Sequence, residues 1–183
     1  MILPIYLYGQ PVLRKETEEV TPSSLDDIKQ FLADMQETLD QAEGCGLAAP
    51  QVGKPLSMFI VDGSQLGEEY PDCVDFKQPF INPEIIEHSE DTSTYSEGCL
   101  SVPGISENVI RPKTIKVRYQ DADFQWHEDT YTDFKARIVL HEYDHLEGHV
   151  FTDRISPIRK QLVRGKLANI AKGKVGARYK YKR

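Results

Sequence analysis

An α+β fold, with antiparallel β-sheets packed around a central helix and one further helix toward each end, is what this 183-residue chain predicts. Three observations carry that prediction. Apolar residues at Leu25, Ile28, Leu32, Met35 and Leu39 recur at helical spacing, four short β-rich runs occupy the middle, and a second apolar-periodic segment includes Ile138-Val139-Leu140-His141-Glu142-Tyr143-Asp144-His145-Leu146-Glu147-Gly148. In chain order, Ser23 or Ser24 is expected to cap the first helix, which runs up to Gly44. Strands follow at 57–61, 80–87 and 114–119, the last continuing past Asp121-Ala122-Asp123 into 125–131. Asp133 is expected to cap the second helix, and Ser156-Pro157 to open a final one carrying Ile158, Leu162, Leu167 and Ile170.

At 39% apolar content the chain is long enough for one domain with a substantial core, read here as residues 1–172, with 173–183 as a basic tail. No run is long and apolar enough to span a bilayer, and the first residues lack a basic region followed by an apolar block, so the expectation is a cytoplasmic protein with no membrane partner. An odd count of three cysteines offers no disulfide framework and leaves Cys45 and Cys73 as free thiols. The net charge of −7 hides an asymmetry. Residues 154–183 hold 11 of the 22 Lys and Arg and no acid, leaving 11 basic against 29 acidic groups in the remainder. Such an end suits a polyanion such as RNA; a solvated helix face with a disordered end is the alternative.

The chemistry-bearing signal is His141-Glu142-Tyr143-Asp144-His145. Positions four apart stack on one helix face, so His141 and His145 can bind one metal ion with Glu142 beside it, the HExxH signature of metal-assisted hydrolysis. A hydrolytic site wants a third protein ligand. A later-helix Glu is excluded because no Asp or Glu follows Asp153, and an extended HExxHxxGxxH fails because its last position is Phe151. His149 lies four after His145 and stays open as a ligand only if the helix continues through Gly148. The favoured third ligand is Cys99, in Tyr95-Ser96-Glu97-Gly98-Cys99-Leu100-Ser101-Val102-Pro103-Gly104, whose thiolate would suit Fe(II), Zn(II) or Co(II). The glycine-rich run 44–53 lacks the features of a phosphate or dinucleotide loop; its small residues let backbone approach a ligand, and Gln51 brings an amide donor.

Taken together, the runs 44–51, 97–101 and 141–145 resemble, in the same order, the GxGxAAxQ, EGCLS and QHExDH motifs of the peptide deformylases, which remove the formyl group from nascent bacterial-type polypeptides. Tyr8-Gly9-Gln10-Pro11-Val12-Leu13-Arg14 is similar to that family's opening, and the likeness extends to about residue 172. Two departures are Leu140, where the family usually has Gln, and the acidic stretch 63–77. The resemblance implies one divalent metal on Cys99, His141 and His145, with Fe2+ first and Zn2+, Ni2+ or Co2+ as alternatives. It further implies Glu142 as general acid/base, and Gln51 and the Leu100 N–H as stabilisers of the oxyanion. The Gly46 backbone would hydrogen-bond the formyl-amide end, and Cys45, Ile105, Phe134 and Ile138 would line a methionine pocket. Glu97 is a candidate partner of Arg111 behind the metal loop, with a surface ion pair the alternative. N-formyl-methionyl nascent polypeptides are the implied substrates, and the basic end is a candidate ribosome contact. An HExxH zinc endopeptidase, or a non-catalytic metal-stabilised RNA-binding protein, are the competing readings. Glu142 speaks against the second, since a structural site needs a fourth ligand and no general base.

Overall fold

The computed structural model describes the backbone of residues 1–183 and every side chain except that of Ser24. In chain order the elements are β1 (Ile5–Tyr6), α1 (Leu25–Ala42), β2 (Gly46–Ala48), β3 (Met58–Asp62), β4 (Lys77–His88), β5 (Thr92–Cys99), β6 (Val102–Pro112), β7 (Thr114–Gln120), β8 (Trp126–Thr132), α2 (Asp133–Leu146), α3 (Pro157–Ala171) and β9 (Tyr181–Lys182). Strands β2-β3-β4-β7-β8 form an antiparallel sheet in that order, β5 and β6 an antiparallel hairpin, and β1 and β9 a short parallel pair. The mixed helix and antiparallel-sheet architecture read from the sequence is the one observed.

Strand β3 shows how the layers are built. All five of its residues are buried, which a half-exposed sheet does not require. Phe59 and Val61 join a cluster with Phe80, Val117, Ile138 and Val139, while Met58 and Ile60, on the opposite side of the pleat, join one with Met35, Leu39 and Leu47. Helices α2 and α1 therefore cover opposite faces of the sheet. A third cluster, with Leu7, Val102, Val109, Phe151, Val163 and Ile170, ties the β5–β6 hairpin to α3 and the N-terminal segment.

Several local expectations change. Helix α1 is led in by a 3-10 turn, Pro22–Ser24, with Ser23 Oγ 2.9 Å from Thr21 Oγ1; Ser24, the other expected cap, lies outside the described side chains. Asp133 is not the cap of α2 but its first helical residue, at φ +54°, following Thr132 in extended conformation. Its acid still sits in the first turn, where the helix dipole favours it. Ser156 does cap α3, its Oγ accepting the Arg159 N–H at 3.3 Å. The buried stripe of α3 is Val163 and Ile170, however, and Ile158 and Leu162 are 72% and 62% exposed, because the helix rests on the surface along one narrow line. Strands β5 and β6 were not foreseen. The inward positions of β6 include Glu107 and Arg111, so its period of two is disguised by charge. Nor is the basic end solvated throughout: Ile5 N–H donates to Lys180 O and Leu7 N–H to Lys182 O, both at 2.9 Å, and Tyr181 packs into the third cluster.

Candidate active site

Helix α2 turns His141, Glu142 and His145 toward the end of β5, where Cys99 precedes the turn into β6. One ligand atom from each of Cys99, His141 and His145 lies within 4.8 Å of the others, a set fit for a single metal ion. Cys99 Sγ is 3.4 Å from His145 Nε2. Burial works against the Cys99 thiolate, but the adjoining imidazoles outweigh it and hold the thiol down at about 5. Burial likewise opposes a charged His141, while Cys99 and Glu97 raise its pKa well above the usual histidine value; this is the negative setting that a divalent cation would meet. His149 is not in the set. The helix ends at Leu146, Gly148 adopts φ +76° against the Arg14 carbonyl, and the half-exposed His149 ring lies 3.7 Å from Asp153.

Behind these three side chains is a buried ionic network. His141 Nδ1 meets Glu97 Oε1 at 2.8 Å, which fixes the ring and leaves Nε2 as the nitrogen not engaged by Glu97. Glu97 also accepts from Arg111 at 2.7 and 2.9 Å and from Arg137 at 2.6 Å, and Arg111 reaches Asp144 at 2.8 Å. Arg154 forks onto the same Asp144 at 2.7 Å through two nitrogens. Burial alone would raise the Glu97 carboxyl, but Arg111 and His141 hold it well below the usual carboxylate range. The Glu97–Arg111 pair is thus buried, not a surface bridge: both side chains are 4% exposed. Arg137, Asp144 and Arg154 were missed in the sequence, although Arg137 and Asp144 stand four before and three after His141 on one helix face.

Glu142 is buried, and its Oε2 has no hydrogen-bond partner among the described residues. Burial pushes its carboxyl up to about 7 against the opposing pull of His141 and His145. A Cβ at position 46 would come within 2.6 Å of Glu142 Oε1, so any residue larger than glycine there would displace the Glu142 side chain. Gln51 is oriented by its own loop: its Oε1 accepts the Ala48 N–H at 2.9 Å, so its amide nitrogen faces Ser101 Oγ at 3.1 Å and Cys99 Sγ at 3.4 Å. A cavity of 640 Å³ is lined by Cys45, Gly46, Gln51, Cys99, Leu100, Ile105, Phe134, Ile138, His141 and Glu142. His145 stands behind that lining. The acidic stretch folds as 3-10 turns, Gly63–Glu69 and Pro71–Cys73; it brings Gln65 and Leu66 to the cavity and stacks Tyr70 on Phe134 at 3.9 Å. Four tail residues, Gly176, Ala177, Arg178 and Tyr179, also stand in the cavity wall, where the sequence offered only a basic end.

A sequence profile of the polypeptide deformylase family matches residues 2–161. The peptide deformylase of Cytophaga hutchinsonii is 46% identical over 182 residues, spanning 100% of this chain and 97% of that protein. Among solved structures, peptide deformylase from Plasmodium falciparum superposes with a TM-score of 0.84 at 32% identity, covering 92% of this chain and 95% of that one. The Thermotoga maritima peptide deformylase gives 0.77 at 38%, covering 86% and 99%. On these likenesses, which run through the whole fold and not the motifs alone, the chain belongs to the polypeptide deformylase family, metal-dependent hydrolases that remove the N-formyl group from the N-terminal formyl-methionine of nascent polypeptides.

Proposed function

We propose that Cys99, His141 and His145 hold the metal of this deformylase and that Glu142 moves the proton in the reaction. The observation that carries the reading is the buried, unpartnered Glu142 oxygen beside a three-donor set, since a carboxylate is not left unsatisfied without a cost of about 1–3 kcal/mol or more. The donors fit a divalent ion: a thiolate at low pKa, an imidazole whose other nitrogen is held by Glu97, and a second imidazole on the same helix face. A metal bound there supplies Lewis acidity, which makes water nucleophilic near neutral pH and polarises the formyl carbonyl.

The chain's own groups do the rest. Glu142 takes a proton from the attacking water and delivers it to the leaving amine, so that one water and one formyl amide become formate and a free methionine N-terminus. Gln51 Nε2 and the Leu100 N–H donate to the formyl oxygen as it gains negative charge. The Gly46 backbone holds the formyl-amide end, and Cys45, Ile105, Phe134 and Ile138 receive the methionine side chain. Ferrous iron is the proposed native metal, with Zn2+, Ni2+ and Co2+ able to use the same ligands. The test is to strip the metal, reload with iron, zinc or nickel, and assay formyl-Met-Ala-Ser against its acetylated and unformylated counterparts. Only the formylated peptide is to be turned over, and in air the iron form is to lose activity fastest, through oxidation of metal and thiolate. Equal decay of all three forms would exclude an iron-dependent lability, and cleavage of internal bonds in casein would favour the endopeptidase.

The proposed setting is the cytoplasm, at the ribosome. Among the described residues, no helix is long and apolar enough to cross a membrane. Helix α3 presents Lys160, Arg164 and Lys166 outward beside exposed Ile158 and Leu162, a basic and apolar face suited to rRNA and ribosomal protein. Lys160→Glu with Arg164→Glu is expected to weaken co-sedimentation with ribosomes and flatten its salt dependence while leaving peptide turnover intact. Unchanged salt-dependent binding would assign the contact elsewhere.

A further inference from the structure

We propose that Tyr179 is a positioning residue for deformylation, its hydroxyl holding the Leu100 peptide in the cleft wall. The inference rests on the reading of the Leu100 N–H as an oxyanion donor. Leu100 and Ser101 make the turn between paired residues Cys99 and Val102, and three hydrogen bonds grip it from outside the hairpin. Tyr179 donates to Leu100 O at 2.5 Å, the Tyr8 N–H donates to Ser101 O at 2.8 Å, and Gln51 Nε2 donates to Ser101 Oγ at 3.1 Å.

Each peptide unit is rigid and rotates only about the φ and ψ bonds that flank it. Fixing the Leu100 and Ser101 carbonyls therefore fixes the planes on one side of Leu100, while strand pairing at Cys99 constrains the other. The direction of the intervening N–H follows. Release the Leu100 carbonyl and that N–H gains freedom to turn away from the formyl oxygen.

Tyr179 is itself placed from both sides. Before it, Gly173 and Lys174 N–H groups close the end of α3 on Ile170 and Asn169 carbonyls at 2.8 Å; after it, β9 joins β1, whose continuation supplies Tyr8. Both ends of the chain thus converge on one two-residue turn. Residues 176–179 also line the cavity that holds Glu142 and Cys99. The end read from the sequence as a basic tail, 173–183, thus reaches back to the cleft.

The experiment compares full-length, metal-loaded enzyme carrying Tyr179→Phe with wild type and with Lys180→Ala, an exposed neighbour. Losing an oxyanion donor outright costs about 10²–10³ in kcat, and here the donor is loosened, not removed, so kcat for formyl-Met-Ala-Ser is expected to fall about five- to tenfold. KM and metal content are expected to match wild type, and the thermal midpoint to drop by no more than about 4 °C, the share of one lost hydrogen bond, a split that a merely structural role would not produce. The proposal is overturned by unchanged kcat, by a fall that tracks metal loss or partial unfolding at the assay temperature, or by the same fall in Lys180→Ala. Glu142→Gln in the same preparation separates the two readings: full turnover there removes the proposed site, whereas an inactive Glu142→Gln beside a wild-type-like Tyr179→Phe removes this inference alone.

Discussion

Glu142→Gln is expected to lower turnover of a formyl-methionyl peptide by about a hundredfold or more, on the order of 2.7 kcal/mol in the barrier, with the metal still bound. The substitution is isosteric and touches none of the three donor atoms of Cys99, His141 and His145. An amide cannot accept the water proton, so the loss falls on the chemical step. Stability should move the other way or stay level. The wild-type side chain is a buried carboxylate with one oxygen lacking a partner, and a neutral amide relieves that burden. The measurement is kcat normalised to bound metal, beside a thermal unfolding curve. Near-normal turnover in fully loaded protein would sink the assigned role, as would a collapse of the fold that explained the loss by itself.

The second large effect belongs to the ionic network behind the ligands. Replacing Arg111 with Met keeps roughly the same volume but strips Glu97 of two hydrogen bonds and Asp144 of one. Breaking a buried ion pair from one side costs about 3–5 kcal/mol. Here Glu97 keeps Arg137 and His141, and Asp144 keeps Arg154, so the lower end applies. About 3 kcal/mol in a domain of this size lowers the midpoint by roughly 6–12 °C. Because Glu97 also steadies the His141 ring, metal affinity should weaken about ten- to a hundredfold. Thermal unfolding and a chelator competition read the two effects separately. An unchanged midpoint would mean that the remaining arginines carry Glu97 and Asp144 unaided.

How much of this was legible in the sequence depends on whether the cause is local. The spacing of His141 and His145 dictates a shared helix face as soon as the segment is helical, and the apolar period of α1 predicts its buried stripe through Met35 and Leu39. The runs that became β3, β4, β7 and β8 are β-rich and lie between turn signals, so their strands appeared within a residue or a few of where they were expected. β5 was hidden by its polar composition. β6 was hidden because Glu107 and Arg111 occupy inward positions, which becomes intelligible only once Arg159, Glu97 and Asp144 are seen to neutralise them.

By itself, then, the sequence determined the helices and most of the central sheet, which rest on residue type and short-range spacing, and it offered Cys99, His141, His145 and Glu142 as site candidates through motif spacing and family resemblance. Only the tertiary structure decided that His149 stands apart, that Glu97 is held by two arginines from separate elements, and that Ile158 and Leu162 face outward. It also decided that the C-terminal end reaches back to the turn at Leu100, 79 residues away in sequence. The physical reason is that burial and ion pairing are properties of what the fold brings alongside a residue, and strand pairing between the two ends of a chain leaves no periodic mark at either end.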